Sequence, residues 1–460
     1  MIKKSNLSRA SRRGGHIRAI SAAVLTAVLL DGCSSVSSLN PFTEKEEILP
    51  GDRQPLFKGA DALANAGKVN GTASIPAAHS IGDWSQASGN AQNNPGHVAL
   101  SGNGTRAWKA SLGSGSSYKL STFGSSAPRV SARPISYQGR IYVYEQNGTV
   151  TALSNNGGRQ WKVELRPDGE SDTALGGGVA ADGGRVFAAT GYGSVIALNP
   201  GNGAKLWTAP LEAPARGAPT AADGKIFVVT QTNEIVALKQ EDGSQLWSYA
   251  GIPETASLLS SANPAISGNT VVVPFSSGEV TALDAKDGTP KWSDAVSRSY
   301  RTQAISGLAD VSASPVIAGG TVVSTGVAGR TIDVNLKTGE RLWEQNVGGV
   351  HTPVVAGNTV FLIDLNDRLV ALDLKTGQPI WVTQLPVVRT KKKQSNWAGP
   401  ILAGNSLWMF SSDSHLARVN PTNGAIVTNR EVSEPTYMSP IVADGRLVVI
   451  SGKGDIVAYN

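Results

Sequence analysis

One cysteine, three methionines and five histidines are spread over 460 residues, and charged residues make up only 17% of the chain. A single thiol excludes a disulfide framework and any cysteine-rich metal centre. His79, His97, His351 and His415 stand singly, with no i, i+4 pair and no cysteine nearby, so no zinc pattern exists. There is no Gly-x-Ser-x-Gly nucleophile elbow. Gly176-Gly177-Gly178 is followed by neither a helix nor Lys-Ser/Thr, and it reads as a strand entering a sheet rather than as a phosphate loop. The one catalytic arrangement left open is a carboxylate pair facing a substrate across a central channel. Amphipathic helical stretches are also missing beyond the N-terminal region, which argues against helical repeats.

The apolar run Ala19–Leu30 is 12 residues long, too short to cross a bilayer. Lys3, Lys4, Arg9, Arg12, Arg13 and Arg18 precede it, so residues 1–32 read as a signal peptide. Leu30-Asp31-Gly32-Cys33 resembles the lipobox of bacterial lipoproteins. That resemblance implies a lipidated Cys33 as the first mature residue and, with Ser34 after it, retention at the outer membrane; the bland reading is a free cysteine behind an ordinary signal. Of the formal charge of +6, residues 1–32 carry six Lys/Arg and one Asp, which leaves +1 for the mature chain. A nucleic-acid binder would need far more. Residues 33–80 are rich in Ser, Pro and charge and read as a flexible tether.

What the chain has in quantity is repetition. ALDLKTGQPIW at 371–381 recurs as ALNPGNGAKLW at 197–207, ALKQEDGSQLW at 237–247 and ALDAKDGTPKW at 282–292. Each copy reads as a strand, a turn whose glycine needs positive φ, and a return strand carrying Trp four residues later. The pairs are Gly157/Trp161, Gly203/Trp207, Gly243/Trp247, Gly288/Trp292, Gly339/Trp343 and Gly377/Trp381, and a seventh copy at Gly424 carries Thr428 in the Trp place. Trp-to-Trp spacings of 38 to 51 residues suit four-stranded propeller blades. Upstream, Pro219, Pro264, Pro315, Pro353 and Pro400 each lie 28 residues before the Trp or Thr428 of their unit. All length variation therefore falls in the links from one outer strand to the next inner strand. In antiparallel blades these links emerge on a single face, where binding loops are expected.

The chain runs out at Gly454–Asn460 one strand short of an eighth unit, while Arg106–Ser111 supplies a spare strand with Trp108. Pairing the two predicts an all-β, eight-bladed propeller over residues 81–460, closed by strands from both chain ends. Lys391, Lys392 and Lys393 fall in a link and read as a solvated loop or as a lipid or phosphate contact.

The repeated A-L-D-x-x-T-G-x-x-x-W motif resembles the tryptophan-docking motif of the quinoprotein-like propellers. One branch comprises pyrroloquinoline-quinone alcohol dehydrogenases, and Asp83-Trp84 with the following Ser-Gln-Ala-Ser-Gly-Asn is similar to their approach to the first blade. Those enzymes imply an adjacent cysteine pair and bound calcium, which this chain cannot supply with one thiol. The other branch is the BamB family of outer-membrane β-barrel assembly lipoproteins, which the lipobox, the chain length and the bare eight blades resemble more closely, over essentially residues 20–460. This implies a non-enzymatic scaffold without cofactor or metal. It would sit lipid-anchored at the periplasmic face of the outer membrane, with the BamA periplasmic (POTRA) domains, other components of the assembly complex and unfolded outer-membrane clients as partners. The family's two contact loops match in part. Leu258 falls on a family leucine and Leu259 on its arginine position, while Asp310 keeps the first of two aspartates and Ser312 replaces the second. Leu258 and Leu259 could instead fold back over a blade edge. A propeller serving another envelope partner is the remaining alternative.

Overall fold

In the computed structural model, which describes residue 63 and residues 71–112, 132–253, 262–296, 311–387 and 395–460, every regular element is a β-strand. The strands form eight four-stranded antiparallel sheets, the expected eight-bladed propeller. Blade 3 shows the plan: a short inner strand Thr220–Ala222, then Lys225–Val229, Glu234–Lys239 and the outer strand Gln245–Ala250. The inner turn is a two-residue loop, Asp223-Gly224, with φ of 51° and 74°. Positive φ at both positions matches the strand twist, which is why Asp-Gly recurs at 444–445 and Gln-Gly at 138–139.

The second and third strands are buried along nearly their whole length, as in Ile226–Val229 and Ile235–Leu238, because each is covered on both faces by neighbouring blades. The outer strand alternates, with Trp247 buried and Gln245 and Ser248 exposed. The core is accordingly a ring of clusters between blades. Tyr142, Tyr144 and Val150 of blade 1 meet Val179 and Val186 of blade 2, and Phe227 and Trp247 of blade 3 meet Val271 and Val273 of blade 4. Ring closure follows the expected scheme: Arg106–Ala110 is the outer strand of blade 8 and pairs with Ile456–Tyr459.

Residues 71–80, which the sequence assigns to the tether, run against the ring. Gly71 N–H donates to Ile380 O (2.7 Å) and Ala73 N–H to Thr422 O (2.8 Å), which places this stretch on blades 6 and 7.

Candidate functional site

Each docking tryptophan reaches over the turn of the following blade. A Cβ built on Gly157, Gly203, Gly243, Gly288, Gly339, Gly377 or Gly424 would lie 2.5–2.7 Å from the ring of Trp108, Trp161, Trp207, Trp247, Trp292, Trp343 or Trp381 respectively. Glycine is needed there twice over, for its positive φ and for the indole lying on it. Every indole Nε1–H also donates to a backbone carbonyl of that turn, from Trp108 to Asn155 O (2.9 Å) through to Trp381 and Pro421 O (3.0 Å). Seven of the eight interfaces between blades are joined in this way.

The eighth, from blade 7 to blade 8, has no turn to receive a tryptophan, because the third and outer strands of blade 8 come from opposite chain ends. Thr428 stands there, and the contact is rebuilt: the Trp408 ring lies against Gly104, Arg418 stacks 5.5 Å over Trp408, and Arg430 Nη2 donates to Gly104 O. This arrangement accounts for the one copy of the repeat without its Trp.

The long links and the turns between second and third strands share one face of the ring. Four of the exposed large apolar side chains, Ile252, Val350, Val387 and Tyr437, lie in links on this face, with Val387 59% and Ile252 55% exposed. Leu258, Leu259 and Asp310 lie outside the described residues, as do Cys33 and Lys391–Lys393. The described flanks of their two loops are nonetheless tied together. Asn233, buried in a blade 3 turn, donates through Nδ2 to Ile252 O (2.7 Å) and accepts from Ser276 N–H of blade 4 (2.9 Å). Phe275 O then receives Val311 N–H at 3.4 Å. Asn233 sits at φ 65°, a conformation asparagine tolerates, and in the sequence it is one more turn residue.

Around the ring on the same face, a cavity of about 380 Å³ opens between Pro167, Tyr192, Leu211 and Pro214, with Glu170, Asp172 and Glu212 on its rim.

The axis is filled by the chain itself. Ser136 N–H donates to Trp84 O (2.9 Å), Ala181 N–H to Ser85 O (2.8 Å), Ile266 N–H to Ala91 O (2.7 Å) and Ile317 N–H to Gln92 O (3.0 Å). Ala221 N–H donates to Gln86 Oε1 (3.1 Å), and Gln86 Nε2 donates in return to Ala221 O (2.8 Å). These are inner-strand amides of blades 1 to 5, which face the axis with no neighbouring strand and need partners. Val98 then bonds blade 7, donating to Leu402 O (3.1 Å) and accepting from Gly404 N–H (2.9 Å). Trp84, Gln86, Ala87, Ser88 and Asn93 are each at most 2% exposed. The stretch that resembles the dehydrogenases' approach to their first blade is thus an axial plug.

Beside the plug lies a partly open recess of about 20 Å³, enough for one water-sized particle. No carboxylate lines it, so the pair that the sequence left open across the channel is not found there among the described residues. Arg133 and His351 approach this region. Burial pushes the Arg133 guanidinium down to about 10, and burial followed by the Arg133 charge pushes His351 down to about 4, so the imidazole is neutral at pH 7. Among the described residues, no three His, Cys, Asp or Glu side chains are placed to hold a metal ion.

A family model described as outer membrane protein assembly factor BamB matches residues 146–383 of the chain. The outer membrane protein assembly factor BamB of Salmonella typhimurium is 28% identical over 362 residues, covering 77% of this chain and 88% of the relative. Among solved structures, BamB from Moraxella catarrhalis superposes with a TM-score of 0.62 at 20% identity, covering 70% of this chain and 94% of that one. Quinohemoprotein alcohol dehydrogenase from Comamonas testosteroni gives the same TM-score at 14% identity, over 83% and 81% of the two chains. At such identities the two structures share a fold with this chain, and the likeness carries nothing about chemistry.

Proposed function

This chain belongs to the family of outer membrane protein assembly factor BamB, and from that premise we propose that it is a non-enzymatic scaffold lipoprotein of outer-membrane β-barrel assembly, holding the BamA periplasmic domains through the loops of its link face. The observation that carries this reading is the contrast between axis and face. The axis, where a propeller enzyme would need room for cofactor and substrate, is occupied by the plug, whose residues 84–92 bond the inner strands of blades 1 to 5. The link face instead exposes apolar side chains beside stems fixed by buried Asn233. Exposed apolar anchors on a rigid frame suit a partner surface.

Leu258 and Leu259 would supply such anchors, and Asp310, on the next blade, the electrostatic complement to a basic neighbour. Truncating both leucines to alanine should weaken BamA binding by tens-fold, since each interface anchor is commonly worth about 1–3 kcal/mol. Asp310→Arg should weaken it more than Asp310→Ala, with the gap narrowing in high salt. Titration of purified BamA periplasmic domains against folded variants is the measurement. Unchanged affinity would reject this site, and loss of binding only in variants that melt early would make these residues packing elements. Changing Lys391, Lys392 and Lys393 together to Gln should leave BamA affinity intact. Retained BamA-independent function with no BamA binding by the parent protein would favour another envelope partner for the same face.

Membrane attachment rests on Cys33 in this reading, because acyl chains supply the affinity. Cys33→Ser should therefore release the protein into the soluble periplasmic fraction. Continued sedimentation with membranes after a high-salt wash would count against the lipid anchor.

A further inference from the structure

The residual cavity on the axis is built unlike a leftover void. Trp84 is 1% exposed and lines it, and its indole Nε1–H has no acceptor. Such an orphan donor is uncommon in a folded protein and calls for an unseen partner. The second lining group is the Arg133 guanidinium, a cation with no carboxylate among the cavity's walls. Arg133 Nη2 donates to Ser88 Oγ and to Thr352 Oγ1, the latter at 3.3 Å. Ser88 Oγ in turn donates toward Asn263 Oδ1 (3.1 Å) or Ser314 Oγ (3.3 Å). Both hydroxyl oxygens are thus already accepting from the guanidinium.

A water here could accept from Trp84 but would leave the positive charge uncompensated. Much of the remaining wall is proline, Pro95, Pro353, Pro400 and Pro440, which has no N–H to offer and little polarity. A small, weakly hydrated anion meets all these conditions at once: it accepts from both donors, neutralises Arg133 and fits a space for one particle.

We infer that the axial cavity is a halide site that takes one chloride ion between the Trp84 indole N–H and the Arg133 guanidinium. The ion ties the plug, through Trp84, to the segment that leads into the inner strand of blade 1, through Arg133. Desolvation pushes the half-buried guanidinium down to about 10, and no carboxylate offsets it. His351 adds no second charge at neutral pH. This inference is independent of the partner reading, since it concerns the axis and not the link face.

The test is the melting temperature of the purified mature protein at fixed ionic strength as sodium gluconate is exchanged for sodium chloride. A saturable rise is expected, with bromide replacing chloride. Trp84→Phe keeps the ring and removes only the N–H, and it should weaken the apparent affinity about tenfold, the scale of one hydrogen bond to a charged group. Arg133→Met should abolish the anion dependence; if that variant does not fold, Trp84→Phe decides alone. Crystals soaked in bromide should show an anomalous peak in the cavity. No saturable chloride effect in the parent, an effect unchanged in the variants, or a cavity holding water without anomalous signal would each overturn the site.

Discussion

Removing Gly454–Asn460 should cost the protein its fold. The deleted segment contains Ile456–Tyr459, the strand lying between Arg106–Ala110 and Arg446–Ile450 in blade 8. Ile456, Val457, Ala458 and Tyr459 are at most 3% exposed, and full burial of the larger three contributes about 1.5–3 kcal/mol each. Their sum, on the order of 5–8 kcal/mol, is comparable to the whole stability of an ordinary domain. The loss also spreads beyond the strand. Arg106–Ala110 is left without a pairing partner, which releases Trp108 from Gly157 and so opens the interface to blade 1. Asp455 is removed with the segment, although Lys109 bridges it and Glu434 at 2.9 Å each, contacts that hold the ammonium group above its ordinary pKa. Two unpaired edges would remain, each a template for aggregation. The expected result is loss of cooperative melting followed by circular dichroism, together with oligomers in size-exclusion chromatography. A truncated protein that melts like its parent would mean that the ring does not depend on this closure.

How far the sequence could be read depended on whether a feature repeats. The glycine-to-tryptophan offset recurs along the chain, so the blades, their number and their closure were legible. The offset cannot reveal which copy of the turn meets which tryptophan, and the structure places each ring on the following blade's glycine. Thr428 marks the position where no receiving turn exists, and Trp408, Arg418 and Arg430 take over there. The axial plug was illegible for a different reason. Its bonds run to five successive inner strands at unequal spacings along residues 84–92, so no periodicity marks it. Asn233 and Arg133 carry no local signature either, one being a turn residue and the other a basic residue before a proline. The loop residues Leu258, Leu259 and Asp310 came from resemblance and stand as a proposal for the binding titration.

Asp333 offers the second large effect, one of opposite sign. At the third-strand position that pairs with the docking tryptophan, blades 1 to 4 and 6 carry Ala152, Ala197, Ala237, Ala282 and Ala371, whereas blade 5 carries Asp333. Its strand neighbours across the row are Val323 and Trp343, in a cluster with Val355, Leu362 and Val370 of blade 6. The residue is fully buried; contacts from the Thr321 side chain and the Val334 N–H are too poorly aligned to make full hydrogen bonds and only partly offset the burial, which pushes the carboxyl up to about 7. An unfolded Asp titrates near 3.9, so below about pH 4 the group is neutral in both states and carries no ionisation penalty. Between about pH 4 and 7 the unfolded chain ionises while the native carboxyl stays protonated, and stability falls with rising pH by up to about 1.4 kcal/mol per unit. Above the native pKa the loss levels off at an upper bound of about 4 kcal/mol. Asp333→Ala reproduces the Val–Ala–Trp row of blade 4, where Val272 and Ala282 pair across to Trp292, so no unusual void is expected. The variant should be more stable than the parent at pH 8 by about 2–4 kcal/mol, with the difference shrinking as the pH falls toward 4. Asp333→Asn should flatten the pH dependence without the full gain, because an unpaired amide remains buried. Urea unfolding of the three proteins across pH 4 to 8 is the measurement. Parallel stability curves for parent and Asp333→Ala would show that Asp333 ionises in the native ring as freely as in the unfolded chain.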